Sequence, residues 1–156
     1  MINKIGMEKI AMGCDHGAYE LKEGLKKHLL EQGYLVQDFG CFSKDSMDYP
    51  DTALPAAEAV AKGEADRGIV LCTTGIGVSI CANKVNGIRC ALCVNEECAL
   101  MTRQHNDTNA LALGAKLVTL EQAISIAHIW LTTPFSQGER HQRRIDKITR
   151  YEQERD

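Results

Sequence analysis

Several things are scarce or missing in this 156-residue chain, and each absence excludes a class of protein. Three prolines, no internal repeat and no Pro/Gly/Ser-rich stretch leave nothing to mark a linker, so one domain spanning 1–156 is the expectation, with 1–6 as a short N-terminal extension. No segment approaches the ~20 uninterrupted apolar residues of a membrane helix, and the opening residues lack the apolar core of a signal peptide. Positive charge is not in surplus either: 18 Lys and Arg stand against 21 Asp and Glu, a formal charge of -3. That balance is a poor footprint for nucleic acid. Neither a Gly-Lys-Ser/Thr phosphate loop nor a His or acidic pair with metalloenzyme spacing occurs.

What is present begins with seven cysteines. An odd number cannot form a complete disulfide framework, and a chain of this length buries enough surface to need none. A reducing cytoplasm is the expected home.

Short apolar runs alternate with segments of helical period. Lys9 to Asp15 precedes a helix over Tyr19 to Gln32, and Leu35 to Phe39 precedes Thr52 to Ala61, with Asp51 as its cap. Three further pairs follow: Gly68 to Cys72 with Gly77 to Lys84, Cys90 to Val94 with Glu96 to Arg103, and Ala110 to Gly114 with Leu120 to Leu131. Strands apolar throughout, rather than alternately, suit a parallel sheet covered on both faces. The pattern predicts an α/β fold: a doubly wound, Rossmann-like three-layer sandwich with a five-stranded parallel sheet and a C-terminal helix over Glu139 to about Gln153. That last helix has only Ile145 and Ile148 for an apolar face, which suits packing on a partner subunit.

Open sheets of this kind bind ligands beyond the carboxyl ends of their strands. The loops to inspect are therefore Cys14 to Gly17, Gly40 to Tyr49, Cys72 to Gly77, Asn95 to Glu97, and Arg103 to Asn109 on the approach to the fifth strand. In Cys72-Thr-Thr-Gly-Ile-Gly, two glycines and two hydroxyl residues stand between a strand and a helix. Exposed N–H groups and the helix dipole there would favour an anion or a developing oxyanion. The spacing fits no dinucleotide fingerprint, because Ile80 stands where a glycine is needed, and no Cys-x5-Arg phosphatase, because Val78 stands where arginine is needed. Cys72, last in its strand and ahead of that helix, faces a field that favours a thiolate, which makes it a candidate base or nucleophile. The residues alone leave it open between a structural and a catalytic thiol.

The other six thiols read as small buried apolar residues. Cys90 and Cys93 make a Cys-x-x-Cys, but three positions apart in a strand they face opposite ways, which does not suit a zinc site. Asp15 and His16 at the end of the first strand, and His105, Asn106 and Asp107 before the fifth, are both expected at the ligand edge, where with Cys72 they would form an acid/base set. Alternatively, His105 and Asp107 only finish a helix and satisfy a turn. Arg140 and Arg144, four apart, share a helix face and suit a phosphate, unless that face is merely solvated. A small phosphorylated metabolite fits better than a polymer.

Taken in order, Gly13 to Gly17, Asp48-Tyr-Pro, Cys72 to Gly77, Ala82-Asn-Lys, Gly87-Ile-Arg, Arg103 to Asn109 and Gly138-Glu-Arg-His-Gln resemble the type B ribose-5-phosphate isomerases, within the ribose, allose and galactose phosphate isomerase group. The resemblance covers nearly the whole chain from Met7. It implies a homodimer, which could pair further, with active sites at the subunit interface. It also implies interconversion of ribose 5-phosphate and ribulose 5-phosphate, a pentose phosphate pathway reaction, without metal or cofactor. By the same resemblance Cys72 moves a proton between C1 and C2 through an enediolate, and the backbone of Thr73, Thr74, Gly75, Ile76 and Gly77 holds the oxyanion. His105 helps open the sugar ring with Thr74 and Asp15 nearby, Asn106 contacts substrate, and His16, Lys116, Arg140 and Arg144 bind phosphate or hydroxyl groups. Two positions depart from the family pattern. Thr73 stands where many members have glycine, and Lys116 stands where many have arginine, which gives up a bidentate fork. A hexose-phosphate isomerase acting on allose 6-phosphate is the nearest alternative, the galactose branch being the more distant one, and a non-catalytic phosphosugar sensor is the alternative of another class.

Overall fold

The structure is a computed structural model that describes residues 8–155. The extension expected over 1–6 lies outside the described residues. Five strands form one all-parallel sheet: β1 (Lys9–Cys14), β2 (Leu35–Asp38), β3 (Arg67–Cys72), β4 (Cys90–Leu92) and β5 (Ala110–Gly114). Their order across the sheet is β2-β1-β3-β5-β4. Between them run α1 (Tyr19–Glu31), α2 (Pro50–Ala61), α3 (Ile76–Asn83), α4 (Glu96–Asn106) and α5 (Leu120–Thr132), with α6 (Glu139–Arg155) at the end. This is the doubly wound, Rossmann-like sandwich that the alternating pattern predicts.

The two faces of the sheet differ in side-chain size. Ile10, Met12, Ile69, Leu71, Leu111 and Leu113 pack under α1, α4 and α5, around Leu25 and the fully buried Trp130. The other face, under α2 and α3, is built on Ala11, Val70, Cys72, Ala110 and Ala112 against Ala53, Ala56, Val78 and Ala82. Alternate residues of each strand go to opposite layers, so Cys72 points toward α2 and α3. Continuous burial holds for β1, β3 and β5, whereas β2 and β4 are the sheet edges and only half-buried. The short β4 stops at Leu92, before the predicted Val94. Cys90 lies against one layer and Cys93, the residue just after β4, in the other.

Two helix ends differ from expectation. Helix α2 starts at Pro50, not Thr52, with Tyr49 at the N-cap and no side-chain cap, because a proline in the first turn needs no N–H partner. Asp51 lies in that first turn instead of capping it. Helix α4 runs three residues past Arg103, to Asn106, and Asp107 then takes a left-handed conformation with φ 44. Aspartate tolerates that region through local hydrogen bonding. Its carboxylate accepts from Arg103 Nη1 at 2.8 Å, one turn back. His105 and Asn106 therefore sit in the last helical turn.

The α4 direction overturns one expectation. A helix returning between parallel strands ends where the next strand begins, so the C-terminus of α4 lies at the amino edge of the sheet. His105 and Asn106 are therefore at the edge opposite Cys72, which pairs with Gly114 at the carboxyl end of β5. Nearness to a strand in sequence does not fix the edge: these residues precede β5 instead of following it.

Candidate active site

Chain order reverses between β1 and β3, since β1 connects outward to β2 and the chain then crosses back to β3 on the other side. A crevice opens at such a switch point, beyond the carboxyl ends of the two strands. Cys14 pairs with Leu71 there, and the next residues, Asp15 and His16 on one side and Cys72 to Thr74 on the other, line the opening. The Asp15 N–H donates to Leu71 O, and the buried Asp15 carboxylate accepts from Gly17 N at 3.0 Å.

Backbone groups organise the thiol. Gly75 N–H donates to Cys72 Sγ at 3.1 Å, a contact that an anionic sulfur takes more strongly than a neutral one. Gly75 itself is the left-handed N-cap of α3, with φ 77, and a Cβ on it would lie 2.6 Å from Leu92 Cδ1 and 2.9 Å from the Leu113 carbonyl carbon. Thr73 needs no such freedom: the residues other than glycine with positive φ are Asp107 and Gln137 among those described. Its hydroxyl sits where a Cβ on Gly17 would be, 2.2 Å from that point, so the threonine locks the 72–77 loop onto the 15–17 turn. Lys116, at the end of β5, donates its backbone N–H to Thr73 O at 2.8 Å and so belongs to the same edge.

The loop from Asp38 to Tyr49 closes this edge, and three of its contacts escaped sequence reasoning. Met47 N–H donates to His16 Nδ1 at 3.2 Å, which leaves Nε2 as the hydrogen-bearing nitrogen of the neutral ring. Tyr49 lays its ring against Gly77, and a Cβ there would meet the ring carbons at 2.6 Å. Lys22, fully buried, donates to Asp38 Oδ2 and to Cys41 O, each at 2.7 Å, under the Phe42 ring. Burial opposes the Asp38 charge, but hydrogen bonds from Lys22, Lys26 and the Gly40 N–H outweigh it and hold the carboxyl below its ordinary value. Asp48-Tyr-Pro had already marked Tyr49 as a motif, whereas nothing local marks Lys22.

Desolvation pushes Cys14, Cys90 and Cys93 up to about 12, and also raises Cys81, so these side chains stay protonated. Among the described residues no group of three or more His, Cys, Asp or Glu converges as a metal site.

The second cluster lies at the amino edge. A cavity of about 200 Å3 is lined by Arg89, His105, Asn106, His141, Arg144, Ile145 and Ile148. Arg89 Nε donates to Asn106 O and Nη2 to Asp107 O, at 2.9 and 2.8 Å, while the buried Arg103 donates to Thr108 O and Thr133 O. Two guanidinium groups thus pin the end of α4. Arg140 and Arg144 are exposed on the first turns of α6. The five residues of β5 separate the two edges by roughly 13 Å, at about 3.3 Å per residue. Asp15, His16, Cys72 to Gly77 and Lys116 form one group, and His105, Asn106, Arg144 and neighbouring Arg140 form another. Within one chain they do not meet.

A family model described as Ribose/Galactose Isomerase matches residues 10–148. The chain belongs to the ribose/galactose isomerase family. It is 48% identical to the ribose-5-phosphate isomerase B of Escherichia coli (strain K12), covering 96% of this chain and 99% of that protein. Its structure is similar to that of Clostridium thermocellum ribose-5-phosphate isomerase B, with TM-score 0.92, 51% identity and coverage of 95% and 99% of the two chains. It is also similar to the Mycoplasma genitalium ribose-5-phosphate isomerase B solved with bound ribulose-5-phosphate, with TM-score 0.89, 42% identity and coverage of 94% and 97%. Membership of this family rests on the full length of the sandwich, both edges included.

Proposed function

We propose that this chain interconverts ribose 5-phosphate and ribulose 5-phosphate, in a site formed when the carboxyl edge of one copy meets the amino edge of a second. The observation that carries the chemistry is the Gly75 N–H on Cys72 Sγ at the switch point. A substrate carbon beside that sulfur has its oxygen beside the N–H groups at the start of α3, where the helix dipole favours negative charge. Cys72 takes a proton from C2 of the open aldose and returns it to C1, while the backbone of Thr73 to Gly77 holds the enediolate oxygen. Asp15 and Thr74 lie at the same crevice, beside the reacting end of the sugar.

The second copy supplies His105 for ring opening and Asn106 for substrate contact. His16 and Lys116 from one edge, with Arg140 and Arg144 from the other, bind the phosphate and hydroxyl groups, and that remote binding energy holds the open chain in line. Two-fold pairing produces two such sites, because an isologous interface repeats every contact. The exposed Ile148 and Tyr151 of α6 suit an interface of this kind. The bound ribulose-5-phosphate of the Mycoplasma genitalium relative supports the substrate class. A thiolate base also requires a reducing compartment, which fits the cytoplasm.

The test is a coupled assay of ribulose 5-phosphate formation from ribose 5-phosphate, run with and without chelator, alongside allose 6-phosphate. Metal-independent turnover that favours the pentose is expected. Turnover of the hexose alone, or of neither sugar, would overturn the reading.

A further inference from the structure

The reaction as read above uses His105 but gives no role to its neighbour. The His141 ring stacks on the His105 ring, with centroids 4.4 Å apart and planes 12° from parallel. The contact joins α6 to the last turn of α4, and the chain between α5 and α6 is fastened so as to create it. Arg103 Nε donates to Thr133 O at 3.0 Å, Ser136 donates to Gln104 O through both its N–H and its hydroxyl, and Gly138 N–H donates to Ser136 Oγ. The anchors are thus residues 103 and 104, immediately ahead of His105. Gln137 then turns the chain with φ 60, and a Cβ on Gly138 would come within 3.0 Å of His141 Cδ2, so the ring folds back over that glycine. One turn further on, Ile145 is buried, and α6 packs on α4.

We propose that His141 is a positioning residue for His105, its stacked ring holding the His105 imidazole in the orientation that serves ring opening. The inference rests on the reading of His105 given above. In that step the C1 hydroxyl loses a proton, the ring oxygen gains one, the C1–O4 bond breaks and the C1 carbonyl forms. An imidazole that relays these protons must aim one nitrogen at the sugar, and a flat neighbour on its face removes the other rotamers while leaving the ring edge free. His141 suits this place because its own charge is suppressed: desolvation, and then His105, Arg140 and Arg144, push it below the ordinary histidine value.

The test compares His105→Asn, His141→Ala and His141→Phe by two readouts. The first is kcat for ribose 5-phosphate, which enters as a ring. The second is exchange of the C1 proton of ribulose 5-phosphate with deuterated water, which needs Cys72 but no ring opening, since the phosphate on O5 keeps this ketose open. His141→Ala is expected to lower kcat by roughly three- to tenfold, and His141→Phe, which keeps a flat ring, to restore it to within about twofold. Exchange should be unchanged in both His141 variants. Normal kcat in His141→Ala beside a slow His105→Asn would overturn the proposal alone. Normal kcat in His105→Asn would overturn the ring-opening reading beneath it. A loss of exchange equal to the loss of kcat in His141→Ala would show that the residue acts through the fold or through binding, and would also overturn it.

Discussion

The two edges of the sheet are built by different means. At the carboxyl edge the functional side chains are held by backbone: the Gly75 N–H on the thiol, the Gly17 N–H on Asp15, the Met47 N–H on His16, and loops seated on glycines. At the amino edge they are held by other side chains, with Arg89 and Arg103 on carbonyl oxygens and one imidazole stacked on another. The difference matches the tasks assigned to them. Proton transfer at carbon needs a fixed base and fixed donors in a site with little freedom, whereas opening a ring and holding a phosphate need cationic and titratable groups that reach across to a ligand. Neither edge holds a complete set, which is why the reading requires two copies.

The largest expected effect falls on the carboxyl edge. Cys72→Ser should lower isomerisation by about 10³-fold, within the range for loss of a general base, while ribose 5-phosphate still binds through its phosphate. Turnover at the wild-type rate would remove the thiol from the mechanism. Calorimetric binding beside the kinetics separates the two effects.

A smaller effect tests whether the edges are held independently. Lys22→Met leaves the half-buried Asp38 beside a single cation, Lys26, and should cost about 3 kcal/mol of folding stability. Hydrogen exchange should quicken at the amides of 39–49 and stay slow at 103–109. Equal loosening at both edges would show that they are one unit.

The smallest effect is on pH dependence, and it too belongs to the carboxyl edge. The Asp38 pKa is lowered in the fold, so its contribution is present above the unfolded value, near 3.8, and is lost as pH falls through the lower folded value. The stability difference between wild type and Asp38→Asn should therefore be constant from pH 5 to 7, which is about the range of maximal stability, and should shrink in acid below 3.8. A difference that persists unchanged in acid would contradict the assigned charge state.

Much of this was legible in the residues, and the limits have physical causes. Runs such as Gly68 to Cys72 and Ala110 to Gly114 announce strands covered on both sides, because only a buried parallel strand tolerates continuous apolarity. The loop at Cys72 stood out because its glycines and hydroxyls interrupt an apolar run just where a helix begins. The edge at which His105 lies has no local signal, since nearness to a strand says nothing of which end is meant, and the direction of the intervening helix decides it. The order β3-β5-β4 has no local signal at all, as it depends on how the crossovers pack. Lys22 reads as one more polar position on the face of an amphipathic helix, and only the return of Asp38 and Cys41 over it makes it a buried cation. His141 lay inside a cluster read for its arginines.

The central claim is that opposite sheet edges of two copies make each site. Co-expressing differently tagged Cys72→Ser and Arg140→Ala/Arg144→Ala chains, and isolating the doubly tagged species, tests it most directly. Each parent alone should be nearly inactive. In the mixed dimer one site joins an intact carboxyl edge to an intact amino edge, and the other carries both lesions, so turnover at about half the wild-type rate per dimer is expected. A mixed dimer no more active than the mean of its parents would show that each site is built within a single chain.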